Sequence, residues 1–553
     1  MPALRHPRRG GAGAAAPAPS ALPRDGRRVA GAAAVARRGA PRWWPLAALT
    51  LLAAALRLAT LDLQSLWYDE AYTPVHVFHA GLGATWRAYV HSENTPPLWY
   101  AIEWPITRAF GTGAVALRLL SALAGIATVP VAWAIGRELE NPPTFTSRQD
   151  PPAPSAAPTR RAAIATAAFV ATSPLLVWYS QEARAYGLFV LTASLALLCF
   201  VRALREPTTR RVWLFALTAT LALLTHYFAV FLLVPMVLAL CRRRLAAVRL
   251  APLLLPILTG AALIPLIVAQ GGHGTQWIGR WALASRLEAV PQYYLTGYTG
   301  AALGHGVELL VALAILAGVL YGLWRGLTPS EERGALIALV VAACGTLLPL
   351  LAALLGADYL APRNLVAAMV PVSALLAVVI AARRTGRAGM AIAGAVAAGF
   401  LALSVDVYLS PRLQRGDWRG VAALLRRAGW GGRAGSAAGR SVAGAAPAAA
   451  RALVTVELGA APLQYYLPPL VNLAPGARVR VSEVVETGYA PLRAGAGAPP
   501  APGLRLTQTG NVHGLYVYRF TSTAPVTIPE FRLHESEITE APHPEVLVPG
   551  SSG

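Results

Sequence analysis

The strongest chemical signal in the chain is a pair of adjacent carboxylates, Asp69 and Glu70, within Trp67-Tyr68-Asp69-Glu70-Ala71. They follow an apolar run and sit between aromatic residues. Carboxylates beside a membrane are either solvated loop charges or functional acids, and this framing favours the second. Four more polar groups interrupt the apolar pattern. In His91-Ser92-Glu93-Asn94-Thr95-Pro96-Pro97-Leu98-Trp99-Tyr100 the prolines suit a helix start, which leaves Glu93 and Asn94 unexplained. In Trp178-Tyr179-Ser180-Gln181-Glu182-Ala183-Arg184-Ala185-Tyr186, Glu182 and Arg184 occupy a turn between two apolar helices that needs no charges. Thr225-His226-Tyr227-Phe228 forms a tight hairpin in which the histidine is either a cap or a site group. In Asp358-Tyr359-Leu360-Ala361-Pro362-Arg363-Asn364 the lone Arg363 either snorkels or binds phosphate through its fixed fork of donors.

Acids near a guanidinium at a lipid interface suit one chemistry. A carboxylate removes a hydroxyl proton while arginine stabilises a departing phosphate. The candidate catalytic residues are Asp69, Glu70 and Glu182; Glu93, Asn94, Arg184, His226, Tyr227, Tyr359 and Arg363 are the candidates for binding substrate or phosphate. A divalent metal ion is a possible cofactor on the three acids, and the pattern does not decide for or against one. No Walker A motif and no glycine-rich dinucleotide loop appears beside a strand, so the activated donor is expected to be carried by a lipid.

The elements that must position these groups are membrane helices. Of the 553 residues 55% are apolar and 13% charged, against about 25% charged in soluble domains. A net charge of +22 would suggest nucleic acid in a soluble protein, but the charges do not gather on one domain, and no nucleic-acid partner is expected. Every basic residue is Arg, a coding bias without functional content. Eleven apolar runs near spanning length lie at about residues 43 to 61, 114 to 136, 162 to 179, 186 to 203, 212 to 226, 228 to 241, 250 to 269, 307 to 324, 335 to 355, 365 to 382 and 388 to 408. Arg-rich connections alternate with acid-bearing ones. The basic set is Arg137 with Arg160 and Arg161, Arg205 with Arg210 and Arg211, Arg242 to Arg244, Arg325 with Arg333, and Arg383, Arg384 and Arg387. Residues 1–42 therefore form a disordered, basic, cytoplasmic tail, and all five polar groups face outside. That tail and the absence of a convincing cleavage site argue against a signal peptide.

The fold class expected is a polytopic α-helical membrane protein of eleven spans over residues 43–408, with an outer loop at 62–113 that includes an interfacial helix over Pro96 to Phe110. A small extracytoplasmic α/β domain with a polar tail occupies 409–553. It contains an amphipathic helix at Asp417 to Ala428, strands at Leu453 to Glu457, Val479 to Val485 and Leu515 to Phe520, and linkers at 431 to 450 and 493 to 503. Cys199, Cys241 and Cys344 lie in or beside apolar runs and define no disulfide framework.

The chain resembles the GT-C superfamily of polyprenyl-phosphate-dependent glycosyltransferases, nearest to glycosyltransferase family 39 and related bacterial membrane mannosyltransferases. WYDEA at 67 to 71, ENTPPLWY at 93 to 100, LRLLSALAG at 117 to 125, SPLLVWYSQEARAY at 173 to 186, THYF at 225 to 228 and APRN at 361 to 364 carry the resemblance. It implies a multi-pass enzyme of the cell envelope in the plasma membrane, a hexosyl- or pentosyltransferase using a polyprenyl-phosphate-linked sugar. The acceptor would be a lipid, glycan or protein hydroxyl on the outer face. With one base, a phosphate leaving group and no clear second nucleophile among these residues, inversion is expected. The catalytic carboxylate maps onto Asp69 with Glu70 as partner, and a second acid onto Glu182. Lipid A aminoarabinose transferases, which look like distant relatives, carry Lys before the Pro-Pro where this chain has Asn94-Thr95; Arg184 and Arg363 are the replacements as phosphate ligands. The competing reading is a transporter or lipid-linked-sugar flippase. Such proteins place charges near the midplane and show internal repeats, whereas here the acids lie at one face.

Overall fold

A computed structural model describes residues 43–141, 160–243, 246–297, 305–430 and 450–550. The expected basic tail at 1–42, Arg244 and nearly all of the 431–450 linker lie outside the described residues. Each of the eleven apolar runs contains helix. Seven helices are long and apolar enough to cross a membrane: Ala114–Glu140, Tyr186–Arg205, Ala247–Gln270, Gly306–Arg325, Pro329–Leu354, Pro362–Ile380 and Arg383–Leu409. The bent pair Arg161–Thr172 and Pro174–Ser180 makes an eighth. Trp44–Leu58 and Ala229–Cys241 are apolar but shorter, and the helix in the remaining run is Thr209–Thr225. The protein is thus multi-pass, while the count of eleven includes helices below the length that a hydrocarbon core requires.

Proline accounts for the bend. Pro174 cannot donate to the ladder, so the two helices meet at 55°. The carbonyls freed there are satisfied by Arg57, buried in Trp44–Leu58, which donates to Val170 O at 3.1 Å, Ala171 O at 2.9 Å and Ser180 Oγ at 3.1 Å. Ser404 Oγ donates to Thr172 O at 3.0 Å. Gly125 makes this packing possible, since a Cβ there would lie 2.1 Å from Ser180 Oγ. The turn carrying Glu182 therefore starts from a braced helix end.

The Arg-rich connections gather at one end of the bundle. Arg202 and Arg205 pair with Glu138 at 3.1 and 2.6 Å, Glu140 accepts from Ala162 N at 2.8 Å, and Glu331 from Arg383 N at 2.8 Å. Arg161 reaches Ala381 O at 2.9 Å and also donates to Gly386 O. The candidate site residues occupy the other end, because helices such as Tyr186–Arg205 begin beside them and finish among these arginines.

The loop at 62–113 holds the helices Tyr68–Tyr72, Leu82–Ser92 and Leu98–Phe110; the last, of 13 residues, matches the short helix expected there and is below spanning length. After the last membrane helix comes an α/β domain. Its six-stranded sheet has the order β2-β6-β1-β3-β5-β4, formed by β1 Ala450–Val456, β2 Leu470–Asn472, β3 Arg478–Tyr489, β4 Arg505–Val512, β5 Leu515–Pro529 and β6 Pro544–Pro549. β1 and β3 are parallel, with Leu453 opposite Val485. Three strands were not expected. β6 pairs with both β1 and β2, so the segment expected to be a polar tail is interior to the sheet; its alternation is too short to stand out from the surrounding polar residues. The amphipathic helix is present as Trp418–Arg427, N-capped by Asp417, whose Oδ1 accepts from Gly420 N at 2.9 Å.

The domain is clamped onto the loop at 62–113 rather than tethered beside it. Helix Glu457–Tyr466 supplies Tyr466 Oη as acceptor from Leu66 N at 2.8 Å and Tyr465 Oη as donor to Thr112 O at 2.6 Å. Gln464 Oε1 lies 2.9 Å from His76 Nε2.

Candidate active site

Asp69 and Glu70 share the helix Tyr68–Tyr72 but have different partners. Glu70 is fully buried. Arg118 grips it as a fork, Nε on Oε1 and Nη2 on Oε2, both at 2.7 Å. Arg415 Nη1 donates to Oε2 at 2.9 Å and Ala183 N to Oε1 at 2.8 Å. Burial pushes this carboxyl up, but Arg118 and Arg415 more than offset it and hold it below the ordinary carboxylate range. The remaining donors of Arg118 go to the carbonyls of Leu61, Gln64 and Ser65. Glu70 is therefore committed to joining the loop at 62–113, the helix Ala114–Glu140 and the Glu182 turn.

Glu182 is also buried. Its Oε2 accepts from Arg415 Nη2 at 2.7 Å, while Oε1 has no partner among the described residues. Burial, reinforced by Glu70 and Asp69, raises its carboxyl to about 7 against the pull of Arg415 and Arg363. Asp69 is the accessible acid. Its Oδ2 lies 2.8 Å from Arg363 Nη1, with the two side chains 20% and 18% exposed.

Glu93 and Arg184 form a separate pair at 2.9 Å. Arg184 Nη1 also donates to Thr73 Oγ1 at 3.2 Å, and Tyr100 Oη to Glu93 at 2.6 Å. Of the two arginines expected as phosphate ligands, Arg184 is thus engaged by Glu93, and Arg363 is the one that borders open space.

That space is a cavity of about 310 Å³. Leu223, Val230, Phe231, Leu263 and Ile267 give it an apolar wall; Asn94, His226, Tyr227, Tyr359 and Arg363 supply polar groups. Five of the ten residues singled out from sequence are therefore brought together, with Asp69 attached through Arg363. Three of them are held from behind. Asn94 Nδ2 donates to His273 O at 3.2 Å, and Tyr227 Oη to Gln270 Oε1 at 2.8 Å. His226 Nδ1 accepts from Phe228 N at 3.2 Å, while its buried Nε2 is unpartnered among the described residues. Asp358 does not line the cavity; Arg286 grips it at 2.6 and 2.7 Å and so fixes the loop that carries Tyr359 and Arg363.

Sequence reasoning missed Arg118, Gln270, Arg286 and Arg415. A guanidinium inside an apolar run is a signal of its own, which Arg118 carries in Ala116-Leu117-Arg118-Leu119; Arg415 lies in a polar connector without any pattern. Asp69, Glu70 and Glu182, left open as ligands for a divalent ion, each face a guanidinium, and no group of three or more His, Cys, Asp or Glu suited to a metal occurs among the described residues.

A multi-pass helical bundle whose loop at 62–113 and C-terminal sheet domain meet around acids at one end of the helices is a fold that the chain shares with a solved membrane protein. The particular likeness is to ArnT. A crystal structure of ArnT from Cupriavidus metallidurans bound to undecaprenyl phosphate superposes with a TM-score of 0.50 at 12% identity, covering 87% of this chain and 98% of that one. The apo state of the same protein gives 0.49 at 12% identity, over 86% and 97%. At this identity the likeness is one of fold. No protein-family model matches the sequence, and no curated protein matches it significantly.

Proposed function

We propose that the chain is a membrane glycosyltransferase that moves a sugar from a polyprenyl-phosphate donor to an acceptor hydroxyl on the extracytoplasmic face, with inversion. One observation carries this reading: Arg363 lines an apolar-walled cavity and is paired with the accessible carboxylate Asp69. The apolar wall suits isoprenoid units, and the guanidinium fork suits the phosphate at their head. The ArnT structure that shares the fold holds undecaprenyl phosphate.

Arg363 has five N–H donors and Asp69 takes one of them through Nη1. A phosphate arriving on the guanidinium competes with Asp69 and frees that carboxylate to accept a proton. The acceptor O–H then gives its proton to Asp69 while its oxygen bonds to the anomeric carbon. The bond from that carbon to phosphate breaks, and the polyprenyl phosphate leaves with its charge on Arg363. Asn94, His226, Tyr227 and Tyr359 line the site as orienting groups. The sugar is a hexose or pentose, and the acceptor is a lipid, glycan or protein hydroxyl.

The test is a membrane assay with a radiolabelled polyprenyl-phosphate sugar. Label appearing covalently in an acceptor supports the transferase. Label crossing between leaflets without any covalent transfer would make the protein a transporter or flippase instead.

A further inference from the structure

Residues 410–419 connect the last membrane helix to the sheet domain, and they are tied to the outer loop at several points. Ser65 Oγ donates to Gly416 O at 2.7 Å, Gln64 Oε1 accepts from Arg415 N at 3.0 Å, and Arg419 donates to the carbonyls of Asp62 and Leu63 at 3.0 Å. These contacts aim one side chain inward. The Arg415 guanidinium lies between two indoles, 4.6 Å from the centroid of Trp178 and 5.5 Å from that of Trp67. Only 7% of it is exposed, and its two terminal nitrogens are divided between Glu70 at 2.9 Å and Glu182 at 2.7 Å.

We infer that Arg415 is a positioning residue of the active site: the connector to the outer domain uses it to fix Glu182 in the acid cluster, and the outer domain acts on the reaction through it. A merely structural arginine would not need this arrangement. Glu70 is already neutralised by the fork from Arg118, so Arg415 is surplus to that acid. Glu182, by contrast, has no other hydrogen-bonding cation among the described residues, and one of its oxygens stays unpartnered. The Trp67 and Trp178 faces strip water from the guanidinium and fix its plane, which aligns the planar fork on both carboxylates.

The charged and titratable groups around Glu182 set what removing Arg415 would do. Glu70 and Asp69, from Tyr68–Tyr72, oppose its ionisation, while Arg415 and the more distant Arg363 favour it. Arg118, from Ala114–Glu140, and Tyr179 and Tyr186, on the flanking helices, also interact with it. Without Arg415 two carboxylates and burial act on Glu182 against Arg363 and Arg118, so its protonated form persists to higher pH.

The effect on turnover rests on the transferase reading; the effect on Glu182 does not. The purified full chain in nanodiscs is therefore titrated by difference infrared spectroscopy, wild type minus Glu182→Gln, which isolates the Glu182 carboxyl band without turnover. Arg415→Met is expected to move that titration upward by about one pH unit or more, and to move the acid limb of kcat/KM with it. Arg419→Ala, which loosens the same connector but touches neither acid, is expected to leave the titration in place. An unmoved titration in folded Arg415→Met protein, or an equal move in Arg419→Ala, overturns the inference. If Arg415→Met does not fold, Arg415→Lys decides, because an ammonium cannot serve two carboxylates from one planar fork; a wild-type titration and wild-type Tm in that variant would equally overturn it. If Arg415→Met shows the expected infrared shift while the wild-type protein transfers no sugar, the transferase is refuted and the role of Arg415 stands.

Discussion

Asp69 and Arg363, 294 residues apart in the chain, meet at 2.8 Å, and Arg363 lines the apolar cavity. The pair links the two halves of the proposed chemistry, since the carboxylate that takes the proton and the guanidinium that takes the phosphate neutralise each other until substrate arrives. Replacing Asp69 with Asn should lower turnover by about a hundredfold or more, the loss typical of a missing general base. Expression and Tm should change little, because Asp69 is partly exposed and Glu70 carries the structural bonds. Near-normal transfer by purified Asp69→Asn protein would remove it from this role.

Arg363 is expected to be more sensitive than its charge alone suggests. Arg363→Lys keeps the charge but loses the fork, and the loss of one charge-assisted hydrogen bond of about 1.5–3 kcal/mol corresponds to roughly 10- to 100-fold in kcat/KM for the donor. Stacking on Trp277, 5.0 Å from its ring centroid, is lost as well. Steady-state kinetics with varied polyprenyl-phosphate sugar checks this, and a Lys variant as active as wild type would place phosphate recognition elsewhere.

The legibility of this site in sequence follows the physics of each group. Asp69, Glu182 and Arg363 stand out because charge in short connections between apolar runs is costly and conspicuous. The roles of Glu70 and Arg184 were not legible: which of two neighbouring acids is buried on an arginine depends on Arg118 and Arg415, 48 and 345 residues away. The length of the apolar runs likewise located the membrane helices but not the break at Ser173-Pro174 or its repair by Arg57. In the outer domain, strands β1, β3 and β5 were visible in part, whereas β2, with 3 residues, and β6, with 6, depend on pairing partners distant in sequence.

Stability of the outer domain should fall as pH rises through neutrality. Glu486 on β3 is 1% exposed and neither carboxylate oxygen has a partner among the described residues. Burial raises it to about 8, and burial raises the nearby Glu537 to about 7. The folded state therefore keeps protons that the unfolded chain releases near the ordinary carboxylate value, so this contribution is complete at low pH and is lost progressively up to about pH 8. Hydrogen exchange of β3 amides, corrected for intrinsic rate, should show weaker protection at about pH 9 than at about pH 6, and Glu486→Gln should reduce the difference. Equal protection in wild type at both values would contradict the assignment.

The clustering of Arg-rich connections at the end of the bundle away from the candidate site predicts a cytoplasmic N-terminus and an outer sheet domain. In a cysteine-free background, a Cys replacing Ser330 should label only from the cytoplasmic side and one replacing Ser482 only from outside. The opposite pattern would invert the topology and, with it, the face on which transfer occurs.

The stereochemical outcome tests the mechanism itself. Among the acids at the site, Glu70 is held by Arg118 and Arg415, and Glu182 is buried on Arg415. That leaves Asp69 as the accessible carboxylate and gives it the role of base, with no second acid free to act as nucleophile on the sugar. The acceptor oxygen must then attack the anomeric carbon directly, from the face opposite the phosphate, and the configuration inverts. Glycosidases follow the same logic when one activated oxygen attacks from the far face; their leaving group needs a general acid, whereas a phosphate held by Arg363 does not. The anomeric configuration of product made from a donor of known configuration decides the point by NMR. Retention, or a sugar trapped covalently on Asp69 or Glu182, would require a double displacement and would rule out the single-displacement path through Asp69.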